Sequence, residues 1–164
     1  MYQFISGYTA KIAGTETGIT EPKATFSACF GAPFLPLHPG KYASMLGDKI
    51  TTANVNVWMI NTGWSGGPYG VGKRIKLAYT RAMITAVLED KLTPVDFAEH
   101  PVFGMMMPLN CPGVPAEILN PENTWLSKEE YATKAKQLAG LFICNFEKYK
   151  SGVSEDVLAA APKI

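Results

Sequence analysis

The spacing of apolar residues along the chain predicts helices in its middle part. Apolar residues three or four positions apart line one face of a helix. Pro39 stands where a first helical turn tolerates proline, so we predict a helix over residues 39–53 and a second helix over residues 80–89. The residues that define the two apolar faces are Tyr42, Met45, Leu46 and Ile50 in the first, and Ala82, Met83, Ala86 and Val87 in the second.

Short apolar runs outside these helices predict strands. Residues 55–61 form a continuous, β-branched run that is typical of a buried strand, and residues 24–31 and 102–107 are also predicted to be extended. Residues 62–72 contain five glycines and a proline and are predicted to be a loop. Strand, glycine-rich loop and helix in this order indicate the α/β class.

The last part of the chain is predicted to hold a long helix. Ser127 and Glu130 have the spacing of a capping box, in which a serine caps the helix and a glutamate lies three residues later. We expect this helix to run to about residue 149, with one apolar face. Ser154 is predicted to start a short helix in the tail, residues 150–164. The length of 164 residues corresponds to one domain.

Composition and charge exclude several classes of protein. The 15 basic and 14 acidic side chains give a net charge of +1, so the chain lacks the basic surface of a nucleic-acid-binding protein. Its apolar runs are too short to span a membrane, and the first residues do not resemble a signal peptide. We therefore expect a cytoplasmic protein with no membrane partner, in which Cys29, Cys111 and Cys144 are free thiols.

The glycine-rich loop contains most of a phosphate-binding motif, Gly67-x-x-x-x-Gly72-Lys73. A serine or threonine should follow the lysine and hold magnesium, but here Arg74 follows. Pro68 also removes one of the backbone N–H groups that would bind phosphate. These residues alone therefore favour a structural connection over a phosphate-binding loop.

Two residues after the loop have the chemistry to contact a nucleotide. Arg74 carries a planar, permanently charged group that can stack on a base or contact phosphate. Thr80 lies near a predicted helix start, where its hydroxyl could cap the helix or bind a ligand; its position alone favours the cap. His38 and His100 lack neighbours at metal-ligand spacing, so no metal site is predicted.

Several consecutive stretches resemble signatures of the ATP-dependent phosphoenolpyruvate carboxykinase family. They follow the family's order from residue 1 to about residue 149. The matching stretches are residues 5–16, 18–22, 26–31, 61–64, 72–75, 80–82, 112–114, 119–121 and 123–124.

This resemblance implies the C-terminal part of the carboxykinase ATP-binding domain, with a mixed sheet packed by helices. It implies that Arg74, Ile75 and Thr80 contact the adenine and ribose end of ATP, and that residues 7–22 form a mobile lid. The family converts oxaloacetate and ATP to phosphoenolpyruvate, ADP and carbon dioxide in gluconeogenesis, as a carboxy-lyase that uses ATP with Mg²⁺ and a second, protein-bound metal, Mn²⁺. Its phosphate-binding loop, metal ligands and catalytic groups lie outside the matching region.

We therefore expect no catalytic residue and no metal ligand in this chain, and no activity of the 164 residues alone. The sequence contains no Gly-x-x-x-x-Gly-Lys followed by Ser or Thr. The alternative function is a non-catalytic nucleotide-binding or scaffolding module derived from the same domain. A GTP-using carboxykinase is a weaker alternative, because the motifs resemble the ATP-using family.

Overall fold

A computed structural model describes residues 1–11 and 23–164 of the chain. Helices and short strands alternate along it, which confirms the α/β class. The helices are α1 (Tyr2–Ser6), α2 (Pro39–Ala53), α3 (Leu77–Leu88), α4 (Ala116–Leu119), α5 (Lys128–Phe146) and α6 (Glu155–Ala159). The strands are β1 (Tyr8–Lys11), β2 (Lys23–Phe26), β3 (Trp64–Ser65), β4 (Lys73–Arg74), β5 (Phe97–Glu99) and β6 (Met106–Pro108).

The described strands form antiparallel pairs. β1 pairs with β2, β3 with β4 and β5 with β6, each in a two-stranded sheet. The chain also divides into two compact units. The first contains residues 1–56 and most residues after 137, and the second contains residues 57–137 with Lys163.

Aromatic side chains form the core of the first unit. Tyr2 of α1 stacks on Phe146 of α5 with ring centroids 3.9 Å apart. Phe142, one turn before Phe146, contacts the rings of Tyr8 and Phe26, which face each other across β1 and β2. The aromatic residues of α1, the first hairpin and the end of α5 thus share one cluster.

Small and medium apolar side chains form the core of the second unit. Ala86 of α3 is buried together with Leu92, Cys111 and Val114. Trp58 packs against this cluster, and its ring lies 6.1 Å from that of Phe97 in β5. This core supports α3, whose first turn follows directly after β4.

The helix predictions agree closely with the structure. α2 spans the residues predicted for it, with Pro39 in its first turn, and α3 begins three residues before the predicted start, at Leu77. The Ser127 hydroxyl accepts a hydrogen bond from the Glu130 N–H at 3.1 Å, which confirms Ser127 as the cap of α5. The same hydroxyl donates to the carboxylate of Glu129. α5 ends at Phe146 and continues as a 3₁₀ turn, and α6 follows Ser154 as predicted.

The prediction of a buried strand over residues 55–61 is wrong. This segment has no strand partner among the residues that the structure describes. Val55, Val57 and Met59 are 52%, 66% and 56% exposed. Trp58 and Ile60, which alternate with them, are half-buried, so only one side of the segment is covered.

Two other extended segments are shorter than predicted. β2 ends at Phe26, after which residues 28–30 form a 3₁₀ turn with positive φ at Cys29 and Phe30. β6 begins at Met106, because residues 101–103 form a turn. The predicted lid, residues 7–22, lies mostly outside the described residues. Within the described part of the chain, every helix is too short or too polar to cross a bilayer.

A buried histidine fixes the turn between β5 and β6 in the second unit. The Nδ1 atom of His100 accepts the N–H groups of Val102 and Phe103 at 3.1 and 3.2 Å. The ring proton therefore lies on Nε2, which is 2.6 Å from the Tyr131 hydroxyl. Burial lowers the pKa of His100 below its ordinary value of 6.5, against a smaller opposing effect of the Glu122 carboxylate.

This arrangement predicts a loss of stability in acid. The folded chain binds the His100 proton less readily than the unfolded chain does, so the free energy of unfolding should fall as the pH drops from about 6.5 through the folded pKa. His100→Asn keeps an acceptor for the turn and removes the titration. Urea unfolding between about pH 7 and pH 5 should show a smaller loss of stability for His100→Asn than for the wild type. Equal losses in the two proteins would contradict this assignment.

Candidate functional site

The three residues expected to contact ATP lie where the β3–β4 hairpin continues into α3. Arg74 is the last residue of β4, and Ile75 extends the pairing, because its N–H donates to the Gly63 carbonyl at 2.9 Å. Thr80 lies in the first turn of α3, with its N–H bonded to the Lys76 carbonyl at 3.2 Å. Arg74 is exposed, Ile75 is half-buried and Thr80 is buried.

Thr80 does not cap the helix. α3 has Lys76 at its N-cap position and no side-chain hydrogen bond to its first N–H groups. Thr80 lies four residues further on, inside the helix. The cap interpretation, which the sequence alone favoured, is therefore wrong. It failed because the helix begins three residues earlier than its apolar pattern indicates.

Arg74 lies on an aromatic ring that its position in the sequence did not reveal. Trp64 and Arg74 are direct partners in the β3–β4 pair. The guanidinium carbon of Arg74 lies 5.1 Å from the centroid of the Trp64 ring, within the range of a cation–π contact. Tyr69 packs edge-on against the same indole, with centroids 6.4 Å apart. Residues 62–72, predicted to be a loop throughout, thus include the strand β3.

The glycine-rich loop is folded tightly on itself. The Pro68 carbonyl accepts the N–H groups of Val71 and Gly72 at 3.1 and 2.8 Å. A side chain at Gly72 would meet the carbonyl oxygens of Gly67 and Ser65. The Val71 and Gly72 N–H groups, which a phosphate-binding loop would direct at its ligand, are therefore engaged within the loop. This geometry agrees with the structural interpretation of the motif.

A second set of hydrogen bonds ties β3 to a distant part of the chain. The Ser65 hydroxyl lies 2.6 Å from the Thr124 hydroxyl, which itself donates to the Pro121 carbonyl at 2.7 Å. Ser65 is therefore the donor of the first bond. Gly66 has a φ of +83° and lies so close to the Thr124 carbonyl that a side chain there would collide with it. The strand β3, which carries Trp64, is thus held by its pairing with β4 and by the contacts with Thr124.

The described residues do not provide an obvious metal site. No three histidine, cysteine or carboxylate side chains converge as ligands within residues 1–11 and 23–164. The two histidines serve local structure instead: His38 accepts the Gly40 N–H at the start of α2, and His100 holds the β5–β6 turn. The metal ions that the resemblance implies therefore find no ligand set among these residues.

Comparison with known proteins identifies the family. The family model for phosphoenolpyruvate carboxykinase matches residues 1–117. Proteins named phosphoenolpyruvate carboxykinase (ATP) are 61% identical in Caldanaerobacter subterraneus, 59% in Flavobacterium johnsoniae and 58% in Thermus thermophilus. The alignments cover 99%, 98% and 99% of this chain but only 31%, 30% and 31% of the relatives. The chain thus spans about a third of the length of the curated relatives it matches.

The tight glycine loop leads to a prediction about stability. Gly72→Ala places a methyl group against the Gly67 carbonyl oxygen, and overpacking of this kind costs about 1–3 kcal/mol. Gly140→Ala is the matched control, because among the described residues no atom outside the neighbouring backbone of α5 lies within 4 Å of a Cβ at this position. It should be neutral, or stabilising by about 0.5–1 kcal/mol. Urea unfolding of both variants measures the difference, and a Gly72→Ala variant as stable as the wild type would contradict the loop geometry.

Proposed function

We propose that this chain, which belongs to the ATP-dependent phosphoenolpyruvate carboxykinase family, supplies the adenine and ribose side of that enzyme's ATP site. The full enzyme converts oxaloacetate and ATP to phosphoenolpyruvate, ADP and carbon dioxide. The observation that carries the proposal is the exposed guanidinium of Arg74, which lies in cation–π range of Trp64 at the point where the β3–β4 hairpin continues into α3.

Arg74, Ile75 and Thr80 have separate roles in this proposal. The Arg74 guanidinium presents a flat, charged surface to the nucleotide. Ile75 offers an apolar surface to the base, and the Thr80 hydroxyl contributes one neutral hydrogen bond. Since Thr80 is buried and Arg74 is exposed, we assign the larger share of the binding energy to Arg74.

The chemical step is assigned to residues outside this chain. Decarboxylation of oxaloacetate gives an enolate, whose oxygen takes the γ-phosphoryl group of ATP. Phosphoryl transfer depends on cations placed around the phosphate oxygens. The glycine-rich loop of this chain uses two of its N–H groups internally, and we assign neither Mg²⁺ nor Mn²⁺ to any described residue. Oxaloacetate contacts are likewise assigned to the rest of the enzyme.

A chimera provides a suitable protein for testing the nucleotide site. This chain replaces the matching segment of the Caldanaerobacter carboxykinase, to which it is 61% identical over 163 residues. The remaining part of the relative supplies the groups that this chain lacks. The same chimera also distinguishes the alternative, a non-catalytic module, because a chain of that kind would not restore carboxykinase activity.

Arg74→Ala in the chimera should weaken ATP binding strongly. A lost hydrogen bond to a charged group costs about 1.5–3 kcal/mol, or roughly 10- to 150-fold in affinity. Thr80→Val should cost about 1 kcal/mol, the scale of a neutral hydrogen bond, and Thr80→Ser should restore it. The control is Arg81→Ala, which removes an exposed arginine from α3, next to Thr80. Isothermal titration with ATP checks these values, and oxaloacetate binding should remain nearly unchanged.

The outcome that would overturn the assignment is equally specific. If the folded Arg74→Ala chimera binds ATP with wild-type affinity, the nucleotide site does not include Arg74. If Arg81→Ala weakens binding as much as Arg74→Ala does, the effect comes from general charge and not from a site at Arg74.

The 164-residue chain alone should form no phosphoenolpyruvate. Its sequence contains no complete phosphate-binding motif, and its glycine-rich loop uses two of its own N–H groups internally. A coupled assay with oxaloacetate, ATP, Mg²⁺ and Mn²⁺ measures this directly, with the active chimera as the positive control. Product above background from the purified chain would place the catalytic groups within it.

A further inference from the structure

Trp64 contacts two side chains of its own hairpin, the Arg74 guanidinium and the Tyr69 ring. Its ring supports the Arg74 guanidinium at 5.1 Å on one side of the hairpin, and Tyr69 meets the indole edge-on. Trp64 is half-buried, whereas Arg74 is exposed.

An exposed arginine on its own samples many rotamers, and binding a ligand then requires it to be ordered. A guanidinium held over an aromatic ring is restrained, because the electron-rich face of the ring attracts the cation. Arg74 is exposed, so its guanidinium also remains available to a ligand. The contact with Trp64 thus restrains Arg74 before a nucleotide base arrives.

The support itself is fixed. β3 and β4 pair Trp64 with Arg74 in register, and Ser65, next to Trp64, is bonded to Thr124. The loop between the strands is closed by the Pro68 carbonyl. The backbone that carries Trp64 and Arg74 is thus held by contacts within the chain.

We infer that Trp64 is a positioning residue for ATP binding, which acts by holding the Arg74 guanidinium over its indole so that the guanidinium meets the adenine base. This inference rests on the proposed role of Arg74 in the nucleotide site. In this inference Trp64 makes no contact of its own with the nucleotide, so its whole contribution should disappear when Arg74 is absent.

The alternative is that Trp64 fills space under the loop and affects the protein only through folding. The two roles differ in a double-mutant cycle, because a positioning residue is coupled to the residue it positions. They differ also in their response to substitution: Tyr keeps an electron-rich ring face and Leu keeps only apolar bulk.

The experiment uses the chimera with Trp64→Leu, Trp64→Tyr, Arg74→Ala and the Trp64→Leu/Arg74→Ala double variant. Trp64→Leu should weaken ATP binding about two- to five-fold, the scale of an exposed cation–π contact. Trp64→Tyr should restore most of this loss. In the Arg74→Ala background, Trp64→Leu should cause no further loss. Urea unfolding of each variant separates changes in folding from changes in binding.

Trp125 provides the matched control for removing an indole. It is also half-buried and packs edge-on against a tyrosine, with its centroid 5.8 Å from that of Tyr131. Trp125→Leu should leave ATP affinity unchanged in both the wild-type and the Arg74→Ala backgrounds. An effect of Trp125→Leu equal to that of Trp64→Leu would overturn the inference.

The single and double variants of the cycle distinguish a failure of this inference from a failure of the proposed function. If Arg74→Ala weakens ATP binding but Trp64→Leu does not, or weakens it equally in both backgrounds, the positioning role is wrong and the nucleotide site stands. If Arg74→Ala leaves ATP affinity unchanged, the proposed site and the positioning role both fail. If Trp64→Tyr does not restore affinity, an aromatic ring face is not what positions Arg74, and the inference is wrong.

Discussion

The register of one very short hairpin sets the geometry of the candidate site. β3 and β4 share only two residue pairs, one of which is Trp64 with Arg74. A ladder of this length is marginal by itself, so contacts around it must stabilise it: the Pro68 carbonyl inside the loop, the Ser65–Thr124 bond and the cation–π contact. A shift of one residue would turn Arg74 to the opposite face of the pair. The candidate site therefore depends on the contacts that fix the register of β3 against β4, and less on the length of the two strands.

The elements that the sequence predicted well are those whose signals are local. Pro39 in a first turn and the Ser127 hydroxyl on the Glu130 N–H each mark a helix start within four residues of sequence. The apolar face of α5 then leads to the buried Ala135, Phe142 and Phe146. Such signals act within a single turn, so the chain carries them without reference to distant residues.

The elements that could not be predicted depend on partners far away in the sequence. Residues 55–61 are apolar on both faces, which is typical of a strand covered on both sides. In the described residues, Trp58 packs inward, while Val57 and Met59 are exposed and no strand pairs with the segment. Whether an apolar run becomes a strand is decided by its neighbours, and this chain matches only about a third of its relatives' length. The contact between Trp64 and Arg74 could not be predicted for a different reason: the two residues lie in one hairpin, and they become partners only in one register of β3 and β4.

The glycine-rich loop shows how a motif and its geometry can point to different chemistry. Gly67, Gly72 and Lys73 have the spacing of a phosphate-binding loop, but Pro68 changes the function of the backbone twice. It provides no N–H group of its own, and its carbonyl accepts hydrogen bonds from the N–H groups of Val71 and Gly72. Closed in this way, the loop keeps two of its N–H groups for itself, yet it brings β3 and β4 together and so places an indole next to Arg74. The glycines are needed because the backbone approaches itself closely at Gly67 and Gly72. The proposed nucleotide site therefore rests on a guanidinium that an aromatic ring supports at the end of a strand, and not on a phosphate-binding loop.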